Sequence, residues 1–190
     1  MSGRLDLGKR QAGVDRTRAA VLAAARELVS AAGDTTLSVG AVARRAGVSR
    51  LTIYNQFGSR SGLMRAVAGE AHGRALPAAP NGATDPREEL RERIGAACSN
   101  WASDPALFRA LPSVAPAGDP ATQRDRGLAE RLAAADHLRP GCSLKEAEDV
   151  IGALTSFAVF DRLHQDGRRS TAAVAEILMR LAGAILTPAS

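Results

Sequence analysis

The sequence predicts an all-α protein, a small helical head followed by a larger helical body with about nine helices in all. Three observations predict it. No run alternates apolar and polar residues as a strand does. Ala supplies 39 of the 190 residues and is the best helix former. From Arg16 to Leu186, apolar residues recur at helical spacing behind a series of capping residues.

Residues 1–15 mix Gly, Ser and charges without an apolar period and are expected to form a mobile basic arm. From Arg16, Val21, Ala25, Leu28, Val29 and Ala32 fall on one stripe of a first helix that Gly33 closes. Ser38 caps a second, with Leu37 and Val42 placed as a hydrophobic staple. It runs to about Ala46 and stops at Gly47, which supplies the left-handed turn conformation. Ser49 caps a third helix from Arg50 to about Gln56, and Ser59 a fourth that carries Leu63, Met64 and Val67. Residues 16–74 therefore read as one domain, three helices plus a linking fourth.

The uncharged segment Ala75–Thr84, with two prolines and Gly82, connects to a second domain over 75–190. Asp85-Pro86, Asp104-Pro105 and Asp119-Pro120 each put an N-cap carboxylate before a proline at the first helical position. The first of these helices carries Leu90, Ile94, Ala97 and Trp101. The second is short, around Ala106–Leu111, and a loop, Pro112–Gly118, leads to the third with Leu128, Leu132 and Ala135. Ser143 and Glu146 form a capping box for a long helix to about Gln165. Ser170 or Thr171 caps a last helix ending near Leu186.

Composition excludes several classes. Apolar residues make up 45% and charged residues 24%, enough to bury a core. The longest uncharged stretch, the eleven residues Val150–Phe160, is far short of the roughly 20 that a membrane span needs. The first twenty residues lack the apolar centre of a secretory signal, so a cytoplasmic location is expected. Cys98 and Cys142 have no partners at metal-ligand spacing and read as structural thiols; no metal or cofactor is expected. The net charge of +5 is uneven. Residues 1–74 hold 12 basic and five acidic side chains, giving +7, whereas residues 75–190 hold 13 and 15, giving −2. A basic excess confined to the head points to nucleic acid as its partner.

The segment Ser38–Phe57 carries the function. Two helices joined by a short turn containing Gly form a helix-turn-helix, whose second helix enters the DNA major groove. Ala43 permits close crossing four residues before Gly47, while Val48 and Ile53 hold the second helix to the core. Ser38 and Ser49 put helix N-termini where phosphates could lie. These residues resemble the TetR family of bacterial transcriptional regulators over about Arg16–Val67, through Ala43-Arg-Arg-Ala-Gly-Val-Ser49, Thr52-Ile-Tyr-Asn-Gln-Phe57 and Ser59-Arg60. The resemblance implies phosphate contacts from Tyr54 and Arg60, and base-edge contacts from Arg50, Leu51, Thr52 and Asn55. Either Arg44 or Arg45 is expected near phosphate, Arg45 being included in the site. The arm arginines Arg4, Arg10, Arg16 and Arg18 could reach a minor groove. Leu51, Gln56 and Ser61-Gly62 depart from the family pattern, which implies a different DNA site and a looser start to the fourth helix.

The family resemblance implies that the second domain binds an effector and dimerises. One helix-turn-helix reads few base pairs, so a palindromic operator in double-stranded DNA needs two copies. The last two helices carry more apolar width than one core-facing stripe uses and are expected to pair with those of a second copy, Gly152 and Ala153 allowing close approach. Asn100, Trp101, Phe108, Thr155 and Phe157 are candidate contacts for a small, largely apolar ligand; His137 and His164 read as surface residues. The implied function is a homodimeric repressor released by such a ligand, the alternative being a dimeric regulator with a protein partner or no effector. No nucleophile motif, phosphate loop or acid–base pair supports an enzyme.

Overall fold

The computed structural model describes residues 3–32, 37–74, 85–111 and 120–188. Among these there are ten α-helices: α1 (Gly3–Ala32), α2 (Val39–Ala46), α3 (Arg50–Phe57), α4 (Arg60–Arg74), α5 (Pro86–Ser103), α6 (Pro105–Ala110), α7 (Pro120–Ala134), α8 (Leu144–Leu154), α9 (Phe157–Asp161) and α10 (Thr171–Ala182). A π-helical turn, Arg162–Asp166, follows α9. None of the described helices is long and apolar enough to cross a membrane. The chain divides into two compact units, Met1–Ala71 with Ala106–Val114, and His72–Pro105 with Ala115–Ser190. Sequence reasoning assigns residues 106–110 of α6 to the second domain; they group instead with the first unit, where Leu107, Phe108 and Ala110 are buried.

In the first unit, Val21, Ala25 and Val29 of α1 enter a core with Val42 and Ala43 of α2, Ile53 of α3 and Leu63, Met64 and Val67 of α4. Of the stripe that the spacing predicts, Leu28 is only half-buried and Ala32 is exposed, while Leu22 and Ala24 are buried beside Val21 and Ala25, so the core face of α1 lies nearer its middle than the period implies. The arm is not seen as such: α1 continues back through Gly3–Asp15. Its polar residues continue the helix through i,i+4 bonds, Gln11 Nε2 donating to Asp15 Oδ1 at 3.0 Å and Thr17 Oγ1 to the Gly13 carbonyl at 2.9 Å. Gly33, the expected end signal, lies outside the described residues, as do the connection 75–84 and the loop 112–118.

In the second unit, α5 packs against α7, α9 and α10, and α8 against α7 and α10. Leu90, Ile94, Leu128, Leu132, Ile151, Phe160, Val174 and Leu178 are buried between them. The long helix expected from Ser143 to Gln165 is broken after Leu154. Thr155 turns its hydroxyl back onto the Ile151 carbonyl at 2.9 Å, and Ser156 Oγ accepts the Val159 N–H at 3.4 Å, so two local hydroxyl bonds compete with the helix and open a new one. The last helix stops at Ala182, short of Leu186: Gly183 caps it, and Leu186 beyond the turn forms an isolated antiparallel bridge with Leu138. The Arg139 N–H donates to Ile185 O and the Thr187 N–H to His137 O, both at 2.9 Å, while Arg87 Nη2 donates to Thr187 O at 2.8 Å.

A charged cluster lies in this apolar setting, with Arg93, Asp125 and Glu89 buried and Arg131 half-exposed. Arg93 of α5 pairs with Asp125 of α7, and Glu89 of α5 with Arg131 of α7, Arg131 Nε standing 3.1 Å from Glu89 Oε2. Burial pulls the Arg93 pKa below its ordinary value, against the opposing pull of Asp125 and Glu89. Gly152 of α8 faces this cluster: a side chain there would start 3.2 Å from Asp125 Oδ2. Cys98 is buried and its thiol is pushed up to about 11 by desolvation, which keeps it unreactive.

Candidate nucleic-acid interface

The helix-turn-helix is built by two caps and one glycine. The Ala41 N–H donates to Ser38 Oγ at 3.4 Å, opening α2. Gly47 ends it at φ 67°, and the Val48 N–H reaches back to the Ala43 carbonyl at 3.0 Å. Ser49 then caps α3, accepting the Thr52 N–H at 3.0 Å. Ile53 is the one buried residue of α3. Thr52, Gln56 and Phe57 flank this anchor half-buried, and Arg50, Leu51, Tyr54 and Asn55 are exposed. The Ser49→Ala variant is expected to lose about 1 kcal/mol of stability, seen as a lower urea midpoint with an unchanged slope.

The expected DNA-facing residues occupy different surroundings. Leu51 is 68% exposed and Tyr54 46%, and Asn55 is also exposed, so these three share the outward face at i, i+3 and i+4. Thr52 is half-buried with its hydroxyl 2.9 Å from Ser49 Oγ. Arg50 folds back over Gly40, where a methyl group would lie 2.5 Å from its Nη2. Arg45 reaches Glu27 of α1 at 2.6 Å, with both side chains more than half exposed, and thereby ties α2 to α1; Arg44 is exposed on the same helix. Arg60 sends Nε to the Leu37 carbonyl at 2.9 Å, fixing the segment that leads into Ser38. The Gly62 N–H donates to Ser59 Oγ at 3.0 Å, so α4 starts with the cap the sequence provides.

Arg18 has a partner within the chain. Its guanidinium lies 4.7 Å from the centre of the Phe57 ring, a cation–π contact that steadies the C-terminal end of α3. Arg16 bonds the Ala12 carbonyl at 3.2 Å. The side chains of Arg4 and Arg10 lie outside the described residues. Glu27 and Gly40 were also missed, because partners 18 and ten positions away carry no periodic signal.

In the second unit, three of the candidate ligand residues come together. Trp101 and Phe157 meet edge to face with centroids 5.8 Å apart, and Trp101 Nε1 donates to the Thr155 carbonyl at 3.2 Å. Phe157 leads on to Phe160 at 6.4 Å. His164, read as a surface residue, is half-buried and stacks on Phe160 at 5.0 Å; the i,i+4 spacing of the pair was the available signal. His137 is likewise half-buried, 3.6 Å from Asp85. Asn100 is half-buried on α5 one position before Trp101. Phe108 lies on α6 and groups with the first unit. Among the described residues no group of three His, Cys, Asp or Glu side chains could hold a metal ion.

Residues 21–67 match the family model for bacterial regulatory proteins of the tetR family. The HTH-type transcriptional regulator AlkX of Mycobacterium tuberculosis is 47% identical over 51 residues, 27% of this chain and 24% of that protein. The match thus spans about a quarter of that relative's length. A TetR-family transcriptional regulator from Pectobacterium atrosepticum has a TM-score of 0.69 at 23% identity, covering 94% of this chain and 98% of that one. The fatty acid degradation regulator FadR from Bacillus halodurans also gives 0.69, at 17% identity over 87% and 94% of the two chains. At such identities the likeness to these two structures is one of fold.

Proposed function

We propose that this chain, whose residues 21–67 match the tetR family model, is a DNA-binding transcriptional regulator that acts as a homodimeric repressor and leaves its operator when a small, largely apolar ligand binds. Its family makes it a regulator and not an enzyme. The observation that carries the proposal is the outward face of α3. A helix anchored on its inner face by Ile53 and presenting Leu51, Tyr54 and Asn55 on its outer one is suited to enter a major groove, with Tyr54 on phosphate and Asn55 on an adenine edge. Ser38 and Ser49 direct backbone N–H groups outward for further phosphates, while Arg45 and Arg60 hold α2 in position.

The apolar residues left exposed on α8 to α10 support dimerisation through these helices: Leu144 at 45%, Leu181 at 51%, with Ala153 and Ala158. Two heads on one body read a palindrome in double-stranded DNA. The Trp101–Phe157–Phe160 cluster is the ligand site, and its chemistry favours an apolar ligand, since the nearby Trp101 N–H and Thr155 hydroxyl already have partners inside the chain. Ligand that prefers one spacing of the heads lowers DNA affinity by the same coupling energy. The same internal satisfaction supports a second reading, a dimeric regulator that answers to a protein partner or to no effector. DNA as the target implies a cytoplasmic, nucleoid-associated location.

Light scattering is expected to return twice the chain mass of 19.7 kDa; the single-chain mass at micromolar protein would remove the dimer. On DNA, Tyr54→Phe is expected to weaken binding to all sequences alike, whereas Asn55→Ala costs about 1–3 kcal/mol on the preferred sequence and relaxes one position of it. Equal losses on every sequence for both variants would remove Asn55 as a base reader. A rise in melting temperature with apolar ligands separates the two effector readings.

A further inference from the structure

We propose that Leu51 reads the C5-methyl group of one thymine in each half of the DNA site. The inference deepens the DNA-reading role given above and rests on it. Base edges are contacted by the N-terminal residues of a recognition helix, here Arg50, Leu51 and Thr52. In the structure Arg50 is folded back over Gly40 and the Thr52 hydroxyl is engaged with Ser49, which leaves Leu51, 68% exposed, as the apolar side chain that this turn offers to solvent. Single exposed leucines are ordinary on protein surfaces. This one is not scattered: of the five large apolar side chains exposed among the described residues, Val14, Leu51, Tyr54, Leu144 and Leu181, two stand on the eight-residue α3.

Leu51 has no donor or acceptor to offer a base. The thymine methyl is the apolar group that a major groove presents, whereas guanine, cytosine and adenine offer polar atoms there. Leu51 against thymine removes two apolar surfaces from water together. Against a guanine or cytosine edge it would strip water from O6, N7 or N4 and give no hydrogen bond in return. One contact therefore selects thymine and rejects the alternatives. Asn55 lies one turn along the same face, so the adenine assigned to it should stand within a few base pairs of this thymine.

The test uses the full-length protein and the sequence it enriches from random DNA. Each thymine of that sequence is replaced in turn by deoxyuridine, which removes only the methyl group. The parent protein is expected to lose about four-fold in affinity at one thymine per half-site, the worth of one buried methyl. The Leu51→Ala variant should bind thymine and deoxyuridine there equally, with an unchanged melting temperature because the side chain is exposed. Thr52→Ser should keep the parent's discrimination. The inference is overturned if the parent ignores every deoxyuridine, if Leu51→Ala still discriminates, or if Thr52→Ser is the variant that stops doing so. If the parent enriches no sequence, the DNA-reading role itself fails and this assignment falls with it.

Discussion

Replacing Asp125 by Ala is expected to destabilise the second unit by about 3–5 kcal/mol, the cost of leaving a buried charge without its partner. Arg93 would be that charge. Its side chain is 9% exposed, its Nε has no hydrogen-bond partner among the described residues, and burial already disfavours its charged form. Glu89 could not take over Asp125's role without weakening its own pair with Arg131. The double variant Arg93→Met, Asp125→Leu should recover most of the loss, because two apolar side chains of similar size need no compensation. Urea unfolding followed by the fluorescence of Trp101, the chain's single Trp and a residue of the same unit, measures both. A loss under about 1 kcal/mol for Asp125→Ala, typical of an exposed pair, would show that water reaches the cluster.

Ile53→Ala should be the most damaging simple truncation for DNA binding. Ile53 is 1% exposed and is the sole buried residue of α3. Truncation in a packed core costs about 2–5 kcal/mol, and here it loosens the helix that carries Leu51, Tyr54 and Asn55. Affinity for preferred and unrelated DNA should fall together, unlike the position-specific effect of Asn55→Ala. Tyr54 is the chain's single Tyr, so its signal reports on this unit while Trp101 reports on the other. The Tyr54 transition should move to lower urea with a smaller change at Trp101. Full DNA affinity in Ile53→Ala would mean that α3 is held by something other than this anchor.

Features set by neighbours in sequence were legible, and those set by distant contacts were not. Ser38, Ser49, Ser143 and Ser170 each cap the helix that the sequence assigns to them, because a cap depends on residues two or three positions away. The turn at Gly47 and the anchor at Ile53 were equally local. The Thr155–Ser156 break was local too and could have been found, since adjacent hydroxyl residues compete with helix bonding. The apolar period across it was continuous and outweighed that signal. The neighbour of Gly152 within the chain is Asp125, on a helix whose position no spacing reveals. Arg18 illustrates the same limit: as one of several N-terminal arginines it looked free to reach DNA, and only the packing of α1 brings it over Phe57.

Selection of bound sequences from a random DNA pool by the full-length protein tests the central claim most directly, that twin copies of α3 read a specific site. The account predicts a palindrome whose half-sites are separated by about one helical turn or a multiple of it, each half containing a thymine close to an adenine. Retention of DNA with no enriched sequence, or an enriched site without two-fold symmetry, would contradict it.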